Sequence, residues 1–420
     1  MDKIVIEGGK RLRGEVQVSG AKNSVLPILA ASLLAEGETV IENVPDLRDV
    51  ATMIKILRTL GMQVTKGKNS ITLKSSRSLK TVAPYKLVST MRASFCVLGP
   101  LLARFGKAEV SLPGGCIIGA RPIDLHLKGL EVLGAKIKIK HGYVVATAPR
   151  LRGADIYLGG AFGSSVLGTI NVLMAATCAQ GTTRIENAAC EPEVVDLVHF
   201  LTKMGAKIKG AGSHMIEVQG VKKLKGVHHV VIPDRIETGT YMIAAAVTAG
   251  ELLLKNVFPA HNNVLIDKLK RCGISIKTFN NKIRVKGKRR LKPVDVTTLP
   301  YPGFPTDLQA QMMALMAITP GISVITEKIY PDRFIHISEL NRMGAKIFLE
   351  GSSAIITGVK KLSGAPVMAS DLRASAALVL AGLVADDYTE IHRVYHLDRG
   401  YERIEEKLSN VGAVIRRERE

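Results

Sequence analysis

One stretch concentrates side chains that do chemistry: Leu112-Pro113-Gly114-Gly115-Cys116-Ile117-Ile118-Gly119-Ala120-Arg121-Pro122-Ile123-Asp124-Leu125-His126. A cysteine stands behind two glycines, and an arginine, an aspartate and a histidine follow within ten positions. The glycines give the backbone freedom to approach a ligand closely. Pro122 is placed to open a helix, with Leu125, Leu127, Leu130 and Leu133 as its apolar side. Cys116 and Arg121 would then lie just before that helix, where a nearby cation and a helix N-terminus favour a reactive thiol. On spacing alone, a buried structural cysteine beside a glycine turn explains the stretch equally well.

Charged and polar groups recur at two other kinds of place. The first is the start of apolar helical segments: Lys22-Asn23-Ser24, Met91-Arg92-Ala93-Ser94, Gly163-Ser164-Ser165, Asp234-Arg235-Ile236-Glu237-Thr238, Pro305-Thr306-Asp307 and Asp371-Leu372-Arg373-Ala374-Ser375. Ser, Thr and Asp cap helices anywhere. Capping does not explain the lysine and arginines, because cations are disfavoured at helix N-termini unless an anion offsets them. The second is a set of loops: Asp46-Leu47-Arg48-Asp49, Glu191-Pro192-Glu193, Tyr330-Pro331-Asp332-Arg333-Phe334 and His396-Leu397-Asp398-Arg399-Gly400-Tyr401. Asp49 and Glu191 read as first-turn acids, whereas Arg333 and Arg399 sit in irregular loops with Pro or Gly.

The elements that must position these groups are repeated. Leu57-Arg58-Thr59-Leu60-Gly61-Met62-Gln63-Val64 is matched by segments ending at Ile137, Ile208, Ile276, Ile347 and Ile415. Their glycines fall at 61, 134, 205, 273, 344 and 412, a spacing of 68 to 73 residues. Each match predicts a helix end, a glycine C-cap and a strand. Upstream of each lies a helix of small apolar residues: Leu26 to Leu34, Val97 to Leu102, Val172 to Ala176, Met242 to Val247, Met312 to Ile318 and Ala374 to Val384. A helix apolar all round must be buried. The repeat is therefore strand, buried helix, strand, loop, outer helix and strand. Six such repeats predict two α/β domains of three repeats each, with helices inside and sheets outside. Packed alike, the inner helices of a domain would gather their N-termini at one end, which attracts anions.

Composition narrows the partners. The net charge of +21 favours anionic ones. Nucleic acid is the obvious candidate, but there is no basic tail, aromatic residues are 4% and tryptophan is absent, which weakens any base-stacking surface; a phosphorylated small molecule is a good alternative. Five cysteines (Cys96, Cys116, Cys178, Cys190, Cys272) are scattered with no zinc-ligand spacing, so neither a disulfide framework nor a metal site is expected. No run of 18 uncharged apolar residues predicts a membrane span. Met1 to Glu7 reads as a strand rather than a signal peptide, and a cytoplasmic protein is expected.

The six-repeat plan resembles the enolpyruvyl transferases, whose two domains are inside-out α/β barrels. The likeness runs over essentially the whole chain. It rests on Ser19-Gly20-Ala21-Lys22-Asn23, Pro113-Gly114-Gly115-Cys116 with Gly119-Ala120-Arg121-Pro122 and Asp124-Leu125-His126, Pro233 to Thr240, Phe304-Pro305-Thr306-Asp307, Asp371 to Ser375 and Asp398-Arg399-Gly400-Tyr401-Glu402-Arg403. The cysteine loop is the mark of members acting on a nucleotide sugar, and the shikimate-type members lack it. The resemblance implies transfer of the enolpyruvyl group of phosphoenolpyruvate to the sugar hydroxyl of UDP-N-acetylglucosamine, with release of phosphate, by addition then elimination. This is the first committed step of peptidoglycan synthesis. It implies no cofactor or metal, domains at 22–232 and at 1–21 plus 233–420, and a cleft that the cysteine loop closes over the sugar.

By the same resemblance Cys116 is the proton donor, able to form a covalent phosphoenolpyruvate adduct and to be alkylated by fosfomycin. Asp307 contacts the attacking hydroxyl as candidate base. Lys22, Arg121 and Arg399 hold phosphoenolpyruvate and the departing phosphate. Asn23, Arg92, Arg121, Pro122, Ile123, Asp124, Leu125, Ser164, Ser165, Val166 and Ile329 are placed at the nucleotide sugar or the cleft, and Asp371 and Arg373 near the transferred group, while Arg333 joins the candidate substrate-binding residues from its loop. One segment departs from the pattern: Leu167 interrupts the usual Ser-Val-Gly before Gly168, so diphosphate contacts there would move to backbone N–H groups. Three other readings stand beside the enzyme: a nucleic-acid binder, an inactive scaffold and a shikimate-type transferase.

Overall fold

The computed structural model describes all residues except Met1, Arg77, residues 115–122, Phe162 and Glu420. Cys116, Arg121 and Pro122 therefore lie outside the described residues.

Each glycine signature folds into the same cap. Gly61, Gly134, Gly205, Gly273, Gly344 and Gly412 have φ between +88° and +109°, which L side chains rarely adopt. In the first of them Gly61 N donates to Arg58 O and Met62 N to Leu57 O, both at 3.0 Å. The other five repeat this pair of bonds, from Gly134 and Ala135 to Gly412 and Ala413. This is the Schellman arrangement, which satisfies the last carbonyls of a helix and turns the chain into a strand.

The helices that end in these caps are amphipathic. Arg48–Thr59 buries Asp49, Val50, Met53, Ile54, Ile56 and Leu57 and leaves its other side to solvent. The others are Asp124–Val132, Pro192–Lys203, Asn263–Arg271, Ile337–Arg342 and Ile404–Ser409. The inner helices differ in kind. All thirteen residues of Arg235–Val247 are buried, as are all nine of Gln309–Ala317. Lys22–Ala31, Leu98–Phe105, Val166–Ala176 and Leu372–Gly382 carry no acidic residue. Truncating one of their fully buried leucines, such as Leu29, to alanine would cost about 2–5 kcal/mol.

After five of the six glycines the chain makes a hairpin, one strand more than the sequence reading allowed. Lys136–Lys140 pairs antiparallel with Tyr143–Thr147, which pairs with Lys107–Ser111, and Val82–Ala83 adds a parallel edge. The returning strand buries alternate residues (Val144, Ala146) against the helices. Six sheets follow this plan, one of them with its parallel edge split into Leu224–Lys225 and His228–Val230. The N-terminal strands belong to late repeats. Asp2–Glu7 is the returning strand beside Val414–Arg419, and Arg13–Gln17 is the parallel edge beside Glu251–Lys255.

Two compact units result. One comprises the described residues of Met1–Ser19 and Pro233–Glu420, the other those of Gly20–Cys116 and Ala120–Ile232. Each has its own apolar core, three inner helices and three of the six sheets.

Candidate active site

In the 233–420 unit three elements converge on one carboxylate. Thr306–Leu308 forms a 3₁₀ turn before the helix Gln309–Ala317 and presents Asp307. A turn in which Arg333 N donates to Tyr330 O brings in Arg333. The first turn of Leu372–Gly382 brings in Arg373. Arg333 Nη1 donates to Asp307 Oδ1 at 2.9 Å and Arg373 Nη2 to Oδ2 at 2.8 Å. Both guanidiniums are buried, while the Asp307 side chain keeps a quarter of its surface exposed. Burial opposes the charge on each arginine. Asp307, together with Asp371 for Arg333 and with Tyr401 and Asp234 for Arg373, more than offsets it, so both pKa values lie above the ordinary arginine value.

A polar floor supports the cluster. The Arg373 guanidinium lies 5.5 Å from the centroid of the buried Tyr401 ring. Gln311 Nε2 donates to the Asp307 carbonyl at 2.9 Å and to Tyr401 Oη at 3.2 Å. Tyr401 Oη is 2.8 Å from Thr240 Oγ1. Neither Gln311 nor Tyr401 was singled out as a site residue from sequence. A second glutamine, after Gln309, in the first turn of a helix that is apolar from Met312 on was the available signal.

Asp371 caps its helix: Oδ1 accepts from Arg373 N at 2.8 Å and Ala374 N at 3.2 Å. Its proposed contact to the transferred group must use what that role leaves. Arg399, half-buried at the end of the 3₁₀ segment Val394–Arg399, shares a neighbourhood with Asp371. After burial, the Arg399 charge helps to lower the His396 pKa and Asp371 raises it. Ile329 is held by its backbone, N donating to Glu327 Oε1 at 2.8 Å.

The 20–232 unit carries a second set. Lys22 opens the helix Lys22–Ala31, its Nζ 3.4 Å from Oδ2 of the buried Asp49. The anion offsetting a cation at a helix start is thus supplied by the chain itself, by Asp49 for Lys22 and by Asp307 for Arg373, and need not be a ligand. Next to Lys22 and Asn23, Ser24 Oγ donates to Asp196 Oδ2 at 2.5 Å. Asp196 also binds His229 Nε2 at 3.0 Å and accepts from Ile232 N at 3.3 Å, which anchors the start of the helix.

Arg92 opens a 3₁₀ segment, Arg92–Val97, rather than an α-helix. The helix expected after Pro122 runs Asp124–Val132, and the leucine stripe is fully buried only in its second half, at Leu130 and Leu133. His126, Gly129 and Leu130 are buried, whereas Leu125 and Leu127 are half-exposed. His126 is therefore a core residue. Its Nδ1 is 3.1 Å from Asn171 Nδ2, which also donates to Phe95 O at 3.1 Å. Burial, with a smaller contribution from Arg92, pushes its pKa down to about 3. A neutral imidazole locked to an inner helix holds the outer helix that carries Asp124 and Leu125.

The structure brings Leu125 to the Ser164–Val166 segment: a Cβ built on Gly168 would stand 3.5 Å from Leu125 Cβ. Gly159–Gly160 and Gly163–Ser164 form a small antiparallel ribbon there. Ser165 Oγ accepts from Gly168 N at 3.1 Å, so this hydroxyl and this N–H serve the helix cap.

Of the cysteines, Cys96, Cys190 and Cys272 are buried, Cys178 is half-buried and all four are free thiols. Burial pushes the Cys96 thiol up to about 12 and that of Cys272 to about 11. None of these four is an activated thiol. Among the described residues no group of three His, Cys, Asp or Glu stands together as metal ligands, and no helix is long and apolar enough to cross a membrane.

Comparison with known proteins follows the same lines. The family described as EPSP synthase (3-phosphoshikimate 1-carboxyvinyltransferase) matches residues 6–408. The chain is 57% identical over 419 residues to UDP-N-acetylglucosamine 1-carboxyvinyltransferase 2 of Carboxydothermus hydrogenoformans, covering 99% of both chains. It is 57% identical to UDP-N-acetylglucosamine 1-carboxyvinyltransferase of Desulfatibacillum aliphaticivorans, covering 99% of this chain and 100% of that one. Among solved structures, the enolpyruvyl transferase NikO from Streptomyces tendae superposes with a TM-score of 0.89 at 26% identity, covering 99% of this chain and 98% of that one. EPSP synthase from Acinetobacter baumannii shares the fold at a TM-score of 0.75 and 21% identity over the whole of both chains.

Proposed function

This chain belongs to the UDP-N-acetylglucosamine 1-carboxyvinyltransferases, within the enolpyruvyl transferase family, and on that premise we propose how its residues divide the reaction. The enzyme transfers the enolpyruvyl group of phosphoenolpyruvate to the sugar hydroxyl of UDP-N-acetylglucosamine and releases phosphate, the first committed step of peptidoglycan synthesis. The observation that carries this reading is 57% identity along the full length of relatives bearing that name.

The hydroxyl oxygen attacks C2 of phosphoenolpyruvate, and its proton passes to Asp307. Cys116 delivers a proton to the methylene carbon, which becomes a methyl group on a tetrahedral intermediate. The C2–O bond to phosphate then breaks, the methyl group returns a proton to the Cys116 thiolate as the double bond re-forms, and the proton held by Asp307 leaves with the phosphate. Each step moves a proton or develops negative charge, so it needs a positioned acid and base and fixed cations. Lys22, Arg121 and Arg399 supply cations for the carboxylate and the leaving phosphate. Asp307 suits the base role because two buried arginines fix its carboxylate in place while part of it stays open to solvent.

Asn23, Arg92, Asp124, Leu125 and the Ser164–Val166 segment serve the nucleotide sugar in this reading. Leu125 and the Ser164–Val166 segment already neighbour each other. We read each unit as an inside-out α/β barrel, in keeping with its buried helices and its three sheets. We place the enzyme in the cytoplasm, where thiols are kept reduced. The acceptor decides the reading: turnover with UDP-N-acetylglucosamine and none with 3-phosphoshikimate is expected, and the reverse preference would overturn it.

A further inference from the structure

Glu327 is fully buried, and its carboxylate is bonded by four donors. Oε1 accepts from Thr298 Oγ1 at 2.6 Å, Ile329 N at 2.8 Å and Tyr330 N at 3.0 Å, and Oε2 accepts from Thr306 Oγ1 at 2.9 Å. Among the described residues no ion pair involves it. A buried carboxylate held by hydrogen bonds alone is costly to desolvate, so those bonds must be made and kept.

The repeats show that Glu327 is a departure. It directly follows the strand Ile322–Thr326. At the same place after their strands, three other repeats carry Asn43, Asn187 and Asn256, all with positive φ. Two of these asparagines tie a neighbouring backbone carbonyl, Asn43 that of Val231 and Asn256 that of Val18. Glu327 lacks the positive φ and gathers donors instead. Of the two remaining repeats, one keeps the positive φ with Arg393 and the other has Leu112 at this place, so an acid stands there in one repeat of the six, the one carrying Asp307 and Arg333.

We propose that Glu327 is a positioning residue for the Asp307–Arg333 pair. The inference rests on the functional reading above. A hydroxyl has one proton. Because Thr306 gives its proton to Glu327, it must offer a lone pair to Arg333 Nη1, which donates to it at 2.9 Å. The same Nη1 donates to Asp307 Oδ1 at 2.9 Å. The carboxylate thus fixes the polarity of Thr306, Thr306 fixes one edge of Arg333, and Arg333 orients Asp307. The other oxygen holds Ile329 and Tyr330 by their N–H groups, and the Arg333 guanidinium lies 5.9 Å from the Tyr330 ring centroid. Glu327 touches no substrate in this scheme.

The test is a double-mutant cycle in the full-length enzyme with Glu327→Gln, Thr306→Val, Thr306→Ser and the pair E327Q/T306V. Glutamine keeps one oxygen for Thr298, Ile329 and Tyr330, but it turns an N–H toward Thr306. Thr306 then faces two donors, and its own proton loses its acceptor. Both E327Q and T306V should lower kcat about tenfold or more, with KM for UDP-N-acetylglucosamine within about twofold. The double variant should fall no further than the worse single one, because both act along one chain of bonds. T306S, which keeps the hydroxyl, should regain most of what T306V loses. Independent, multiplicative losses would overturn the proposal, as would an E327Q enzyme with unchanged kcat. A loss that follows only the fraction of folded protein, titrated at the active site, would do the same. Wild-type enzyme is assayed alongside. If it transfers no enolpyruvyl group, the functional reading fails; if it does and E327Q matches it, only the role of Glu327 fails.

Discussion

Arg373 reaches across 66 residues of sequence to donate through Nη2 to Oδ2 of Asp307 at 2.8 Å. With Arg333 on the other oxygen, the carboxylate is held in one orientation by two buried cations. Removing the carboxylate leaves both charges buried without it, and breaking such a pair typically costs about 3–5 kcal/mol. Asp307→Ala should therefore lower both unfolding free energy and turnover. Asp307→Asn, of the same shape and with one acceptor oxygen, should lose less stability but still at least about a hundredfold in kcat, the scale of a lost general base. Denaturant melts beside steady-state kinetics separate the two effects. An Asn variant with near-native kcat would remove Asp307 from proton transfer.

Cys116 is assigned by its motif, and its test is chemical. Cys116→Ala should abolish turnover while UDP-N-acetylglucosamine still binds by calorimetry. Cys116→Asp should stay active and resist alkylation by fosfomycin if the side chain acts as an acid. Loss of all activity in the aspartate variant would point to an obligatory covalent adduct.

Buried histidines set a pH dependence of stability. The pKa of His126 is pushed down to about 3 and that of His336 to about 4, from 6.5. Between those values the unfolded chain binds protons that the folded chain refuses, so stability rises with pH. It is fully present above about 6.5 and is lost as pH falls toward 4. Glu237 works the other way, since burial raises its pKa, so the comparison must isolate one group. The urea midpoint should drop from pH 7.5 to pH 5, and His126→Gln should make that drop smaller. Equal drops in both proteins would contradict the assignment.

The repeat glycines are a question of backbone alone at Gly205. Its φ is +109°, and an added Cβ would meet open space. Gly205→Ala should cost about 1–2 kcal/mol through strain and leave KM unchanged. A neutral substitution by thermal melt would deny the cap its conformational role.

Much of this was legible in the sequence because period is a strong signal. Six glycines at near-constant spacing marked the helix caps, and charge-free helices marked the buried layer. The returning strand of each hairpin was missed because segments such as Ser70–Ser75 alternate too briefly to declare themselves. His126 was grouped with reactive residues because spacing does not reveal that its ring faces Asn171. Helix-start cations were explained by a ligand because Asp49, 27 residues from Lys22, meets it only in the fold. Glu327 was invisible for the same reason: its donors, Thr298 and Thr306, lie 29 and 21 residues away.

The most direct measurement is phosphate release from phosphoenolpyruvate with and without UDP-N-acetylglucosamine, with the sugar product quantified in the same reaction. Sustained release that requires the nucleotide sugar and yields one enolpyruvyl product per phosphate is the predicted result. Release independent of the sugar, or none with both substrates present, would contradict the account.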